Sequence, residues 1–255
     1  MTEPDLSNFQ PAADHLAGRV ILVTGATDGI GRAAALAFAR HGATVVLLGR
    51  KVRKLERVYD EIEAEGLPQP AIYPMNLEGA APKDYDELAV RLEEAFGRLD
   101  GLLHNAAELG TLTPMQLYAP ETWSRVMQVN VNAAFLLSRA CIGLLAKSED
   151  ASVLFSSDTV GRKGKAYWGA YGVSKFAIEG MMQILAHELE GTSPVRVNSI
   201  DPVAVRTAGR LAAYPALDPN SLPLPEVVMP WYLWAMGPES RGVTGQALTA
   251  DPGAA

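Results

Sequence analysis

The 255-residue chain has a single cysteine, Cys141, inside the apolar stretch AAFLLSRACIGLLA. An intramolecular disulfide is therefore impossible, which fits a reducing compartment. A thiol set among leucines and alanines reads as a small hydrophobe rather than a nucleophile. Basic residues are also short: 22 Lys and Arg face 29 Asp and Glu, for a formal net charge of -7. That balance excludes nucleic acid as a bulk partner, because such binding draws on clustered cations that displace counterions from phosphates. The four histidines, His15, His41, His104 and His187, share no metal-ligand spacing, so no metal is expected, and His187 reads as a helix-surface residue. The N-terminal stretch MTEPDLSNFQPAADHLAG is acidic and lacks an apolar centre, and no apolar run approaches the length of a membrane span. The expectation is a soluble, cytoplasmic protein with no membrane partner. No linker, internal repeat or low-complexity block divides the chain, so residues 19–255 read as one domain behind an N-terminal extension, residues 1–18.

What is present is a regular alternation. Short apolar runs ending in glycine or polar residues (RVILVTG, TVVLLG, AIYPMN, LDGLLHNAA, SVLFSS, VRVNSI) read as buried strands. Between them lie helical patterns: IGRAAALAFARHG, the charged RKVRKLERVYDEIEAEG, PKDYDELAVRLEEAFG opened by proline, one long helix over 120–147, and another over 170–191. A further helix is expected around 227–236 and a short last strand near 246–248. Strands alternating with helices predict right-handed βαβ units, hence a single-domain α/β fold, doubly wound (Rossmann-type) around a parallel sheet of about seven strands.

Two stretches carry chemistry. TGATDGIG (Thr24–Gly31) joins the first strand to the first helix. Gly25, Gly29 and Gly31 there permit a tight turn, close backbone approach to a pyrophosphate and close helix–strand packing, with Thr27, Asp28 and Ile30 completing the loop. A helix N-terminus behind it offers free N–H groups to phosphates. After the second strand the chain reads LLGRKVRKL, with Arg50, Lys51 and Arg53 and no carboxylate at the turn. A carboxylate there would accept from ribose hydroxyls, whereas Arg50 can fork onto a 2′-phosphate, so NADP(H) is favoured over NAD(H). The second stretch is SSDTVGRKGKAYWGAYGVSK (Ser156–Lys175), in which Tyr171 and Lys175 form an i, i+4 pair on one helix face. A lysine ammonium near a phenol favours its ionised form, so Tyr171 is expected to titrate below its ordinary value and to serve as a general acid/base.

Taken together, TGATDGIG, HNAA (residues 104–107), QVNVNAAF (128–135), SSDTVG, YGVSK, DPVAVRT (201–207) and TGQALTADPG resemble the classical short-chain dehydrogenase/reductase family over nearly the whole chain. The resemblance is strongest to a little-characterised bacterial oxidoreductase branch with HNA, WGAY and MPWYLWAMG-like segments. It implies hydride transfer between a nicotinamide and a carbonyl or alcohol carbon of a small molecule. Tyr171 would exchange the proton, Lys175 would bond the nicotinamide ribose and lower the Tyr171 pKa, and Asn130 would hold a relay water, with Asn132 the weaker choice. Asn76 and Leu77, Asn105 and Ala106, Pro202 and Val203, and Thr207 would line the cofactor. The long helices would pack as a homodimer or homotetramer interface. Residues 208–237 would form the variable substrate loop and lid, where Tyr214, Met229, Trp231, Tyr232 and Trp234 are either pocket lining or ordinary core.

The family pattern is broken where it matters most. Its serine stands three residues before a glycine and about thirteen before the tyrosine, and both counts land on Asp158, with Ser157 one residue off. An ionised aspartate only accepts hydrogen bonds, so it would repel a developing alkoxide where a serine would donate to it. Either Ser157 swings inward or Asp158 faces Tyr171. Val203 stands where the family has glycine, and a β-branched residue resists positive φ. Asp201 and Ala107 also depart. The resulting expectation is an NADP(H)-dependent oxidoreductase with weakened activity. The alternatives are a non-catalytic dinucleotide-binding or interaction protein on the same fold, and an enzyme that uses Asp158 for a different acid/base step.

Overall fold

The computed structural model describes residues 4, 6 and 9–251; residues 252–255, which include the last two of TGQALTADPG, and most of the first eight lie outside them. Seven strands form one parallel sheet: β1 (Val20–Thr24), β2 (Thr44–Gly49), β3 (Ala71–Pro74), β4 (Gly101–His104), β5 (Ser152–Ser156), β6 (Arg196–Asp201) and β7 (Ala247–Thr249). Their number and parallel direction are what the alternating pattern predicts, and their order is β3-β2-β1-β4-β5-β6-β7. β1, β4, β5 and β6 are buried along their whole length, which is why β1 reads as an apolar run and β4 and β5 have apolar centres rather than alternation, while β6 buries Arg196, Asn198, Ser199 and Asp201 as well.

Helices α1 (Gly29–Arg40) and α2 (Val52–Ala64) cover one face of the sheet and α3 (Pro82–Phe96) the other. The second face is completed by α4 (Pro120–Met127), α5 (Ala133–Leu145) and α6 (Gly169–Leu189). The chain then adds α7 (Ala208–Ala213) and α8 (Met229–Met236), the latter returning to pack on α1. Small residues at Ala33, Ala34, Ala35 and Ala39 let α1 lie close to the sheet. Residues 9–18 lie against the same face: Leu16 is fully buried, its N–H donates to the His41 carbonyl, and the His15 ring bonds the Leu233 carbonyl.

Three local expectations are corrected. The helix read as continuous over 120–147 is interrupted at Gln128–Asn132 by a π-helical turn centred on Asn130. α7 was not legible, because AGRLAA has no periodic apolar face and its N-cap is a side chain, Thr207 Oγ1, accepting from the Arg210 N–H. The absence of a span-length apolar run also fails: Pro120–Leu145 is long and apolar enough by length and composition. It packs within the fold against α3 and α6. Met229, Trp231, Tyr232 and Trp234 are core residues, and burial pushes the Cys141 thiol up to about 12.

His104, at the end of β4, is buried with its ring stacked on Phe155 at 4.6 Å and Nε2 2.8 Å from Ser138 Oγ. Burial pushes its pKa from 6.5 down to about 3. Below pH 6.5 the unfolded chain takes up a proton there that the folded chain refuses, so stability falls as pH drops from 6.5 toward 3. The expected slope from this group is about 1.4 kcal/mol per pH unit. Urea midpoints measured from pH 7 to pH 4.5 should fall less steeply in His104→Gln than in the wild type; identical slopes would show that other groups govern the acid limb.

Candidate active site

The sheet order reverses between β1 and β4, and loops diverging from these two strands open a crevice at their C-terminal ends. Thr24, the last residue of β1, holds the crevice together. Its hydroxyl donates to the Leu103 carbonyl at 3.2 Å and accepts from the N–H groups of Asn105 (2.9 Å) and Ala106 (3.0 Å). The Asn105 amide returns a bond to the Thr24 carbonyl at 3.2 Å. Gly25 follows with φ +66°, and a Cβ there would stand 3.0 Å from the Ala106 Cα, so a side chain would strain the turn and push the two loops apart.

The crevice is a cavity of about 510 Å³. It gathers Gly25, Thr27, Asp28, Gly29, Ile30, Arg50, Asn76, Leu77, Asn105, Ala106, Ser157, Asp158, Tyr171, Lys175, Pro202, Val203 and Thr207 along one wall or another. Two residues named from the sequence lie elsewhere. Gly31 sits behind the loop, where an added Cβ would meet the Gly25 carbonyl at 2.3 Å, so it serves close packing rather than lining. Asn130 faces a small side pocket: its Oδ1 accepts from the Glu108 N–H at 2.7 Å, and its Nδ2 donates to the Glu108 carbonyl and to Ser174 Oγ. The π turn brings Asn130 to this loop, and the side chain is fully engaged in holding it. Asn132 bonds only Gln128.

One end of the cavity fits a phosphorylated dinucleotide. Asp28 caps α1, accepting from the Gly29 N–H at 2.9 Å, and pairs with Lys54 at 3.0 Å, whose hydrogen bond draws the Asp28 carboxyl below its ordinary value. α2 begins without a side-chain cap or an acidic first turn, leaving the Val52 and Arg53 N–H groups without an acceptor among the described residues, beside Arg50, Lys51 and Lys54. Free donors and cations together suit a phosphate.

The other end holds the tyrosine. α6 carries Tyr171 and Lys175, and a 3₁₀ turn (Thr159–Gly161) lies against it so closely that a Cβ on Gly161 would meet the Lys175 Cβ at 2.7 Å. Asp158 caps this turn, with Oδ1 accepting from the Val160 N–H at 3.0 Å, and its Oδ2 accepts from the Tyr171 hydroxyl at 3.2 Å. Asp158 therefore faces Tyr171. Ser157 is buried with its hydroxyl free of any partner among the described residues, its backbone N–H held by the Ile200 carbonyl at 2.7 Å.

Lys175 makes no hydrogen bond to the phenol among the described residues. Its Nζ donates to the Ser156 carbonyl at 2.5 Å and lies 5.4 Å from the Tyr171 ring centre, and burial pushes its pKa down to about 8. Tyr171 is pushed well above its ordinary value, first by burial and then by the charge and hydrogen bond of Asp158. The expectation of a lowered Tyr171 pKa is thus reversed, because desolvation and the Asp158 carboxylate outweigh the opposing charge of Arg210.

Val203 adopts φ +51° despite its branched side chain. Asp201 holds it there, accepting from the Val203 N–H through Oδ1 (2.9 Å) and from Thr159 Oγ1 through Oδ2 (2.6 Å). This left-handed valine stores strain of about 1–3 kcal/mol at the cavity wall. Sequence reading missed Thr24, Trp168 and Arg210 as site residues. Trp168 packs its ring 5.7 Å from Tyr171 and 5.9 Å from Tyr214, and its place three residues before the tyrosine was the available signal.

Residues 19–215 match the short chain dehydrogenase family. The Escherichia coli oxidoreductase YciK is 49% identical over 246 residues, covering 96% of this chain and 97% of that protein. A 3-oxoacyl-[acyl-carrier-protein] reductase of Thermotoga maritima is 30% identical, covering 93% of this chain and 98% of its own length. Among solved structures, a short chain dehydrogenase from Pseudomonas syringae shares 56% identity at a TM-score of 0.92, covering 96% of this chain and 99% of that one. One from Shigella flexneri complexed with NADP shares 49% identity at a TM-score of 0.91, covering 94% and 99%.

Proposed function

Because the chain belongs to the short-chain dehydrogenase/reductase family, we propose that it is an NADP(H)-dependent oxidoreductase acting on a small carbonyl or alcohol, slowed by Asp158. The observation that carries the reading is the convergence of Tyr171 and Lys175 with the glycine loop and the Arg50–Lys51–Lys54 cluster on one cavity. When bound, the nicotinamide supplies or accepts the hydride. Tyr171 keeps its proton at neutral pH, so its hydroxyl is set to give that proton to a carbonyl oxygen as the oxygen becomes an alcohol. Arg50 and Lys51 would hold the 2′-phosphate, and an NADP complex in a relative of 49% identity supports that choice. The relatives support a cytoplasmic protein. The exposed apolar side chains Phe135 on α5 and Phe176 and Ile184 on α6 support a homodimer or homotetramer packed through these helices.

A second reading, a dinucleotide binder without turnover, draws on the same site: the Tyr171 proton is engaged by Asp158 and Val203 is strained at the cavity wall. Ligand-induced thermal shifts test the shared premise. NADPH at about 100 times its Kd should raise Tm by about 5–10 °C. NADH should need at least about 10-fold more ligand for the same shift. No shift with either dinucleotide would overturn both readings, and equal shifts would overturn the phosphate assignment.

A further inference from the structure

Arg210 is a cation at the Tyr171 end of the cavity. It projects from α7, lines the same cavity as Trp168 and Asp158, and makes no ion pair or side-chain hydrogen bond among the described residues. Its Nε is shielded from solvent and without a partner. The other cavity cations are accounted for: Lys54 pairs with Asp28, Lys175 bonds the Ser156 carbonyl, and Arg50 and Lys51 flank α2 at the far end. Tyr214 holds the guanidinium in place, its ring centre 4.3 Å from Arg210 Cζ. A second cation reinforces the first: Lys165 Nζ lies 5.4 Å from the same ring centre and donates to the Tyr214 hydroxyl at 3.1 Å. The rings of Tyr171, Trp168 and Tyr214 form a continuous line from the proton donor to this cation pair.

A guanidinium whose Nε is shielded from water without a partner is costly to leave unsatisfied, and its planar fork matches a carboxylate. We infer that the substrate is an oxo acid, or the corresponding hydroxy acid, whose carboxylate is bound by Arg210 with Lys165 nearby while its carbonyl meets Tyr171. The inference rests on the oxidoreductase reading of this cavity and makes Arg210 the residue that sets substrate class. Arg210 belongs to none of the quoted motifs and is recognised only because α7 folds back over the site.

The test uses 3-oxobutanoate, 4-oxopentanoate and 5-oxohexanoate, each beside its methyl ester, with NADPH as reductant and with the wild type and Asp158→Ser as enzymes. At least one acid should exceed its ester in kcat/KM by about 10- to 100-fold, the range expected of a charge-assisted pair. Arg210→Met should abolish that preference, Arg210→Lys should restore part of it, and NADPH affinity should change by less than about 2-fold in both. Esters as good as acids throughout, or a preference that survives Arg210→Met, would overturn the inference. So would a large loss of NADPH affinity in Arg210→Met, which would assign the guanidinium to the cofactor. If no compound is reduced, the oxidoreductase reading fails separately. The acid-over-ester difference in thermal shift of the NADPH-bound protein, and its loss in Arg210→Met, then still decides the carboxylate site.

Discussion

Asp158→Ser should increase kcat/KM for NADPH-dependent carbonyl reduction by about 10²–10³-fold, the usual effect of one hydrogen-bond donor to a developing oxyanion. In the native chain both carboxylate oxygens are occupied: Oδ1 accepts from the Val160 N–H and Oδ2 from the Tyr171 hydroxyl. The group nearest the reacting oxygen thus carries negative charge and competes for the proton that reduction requires. Serine is as good an N-cap as aspartate, so the turn Thr159–Gly161 should keep its place against α6. The substitution then replaces an acceptor with a donor, and it removes the charge that helps hold the Tyr171 pKa up. Asp158→Asn, which can cap and donate but is bulkier, should give a smaller gain. Initial rates on a carbonyl panel, with NADPH binding measured in parallel, provide the check. A serine variant no faster than wild type would mean that Asp158 takes part in turnover, as the third reading of the sequence holds.

Tyr171→Phe should lower kcat by about 10³-fold or more in either background, within the range of a positioned general acid, while NADPH binding stays within a few-fold. The ring remains to pack on Trp168 at the same site; only the proton is lost. The pH profile should carry the signature of Lys175, whose pKa burial lowers to about 8. Below pH 8 its ammonium stabilises the phenolate that forms as Tyr171 gives up its proton, and above pH 8 that charge is gone. The rate of reduction by Tyr171-containing enzyme should therefore decline as pH rises through about 8. Comparable turnover by Tyr171→Phe would remove Tyr171 from the chemistry and leave the binder reading standing.

The comparison of sequence with structure divides along the reach of the interactions. Strands β1, β4 and β5 were legible because burial on both faces writes itself as local runs of apolar residues. The glycine loop was legible because its demand on the backbone is met by residues within one turn. Tyr171 and Lys175 were legible as a pair because helical spacing puts them on one face. The π turn at Gln128–Asn132 was not, since nothing in QVNVN departs from helical patterning; Asn130 is drawn instead to the Glu108 backbone and to Ser174.

The sequence by itself determined the parallel α/β architecture, the glycine loop between β1 and α1 and the residue register that puts Asp158 thirteen positions before Tyr171. Only the tertiary structure decided that Asp158 rather than Ser157 meets the phenol, that Tyr171 holds its proton more tightly instead of less, and that Arg210 stands unpaired beside it. The physical reason is one of range. Periodicity and turn chemistry act between near neighbours along the chain, whereas desolvation and charge act between groups brought together from β5, α6 and α7 by folding, and these set the protonation states on which the chemistry depends.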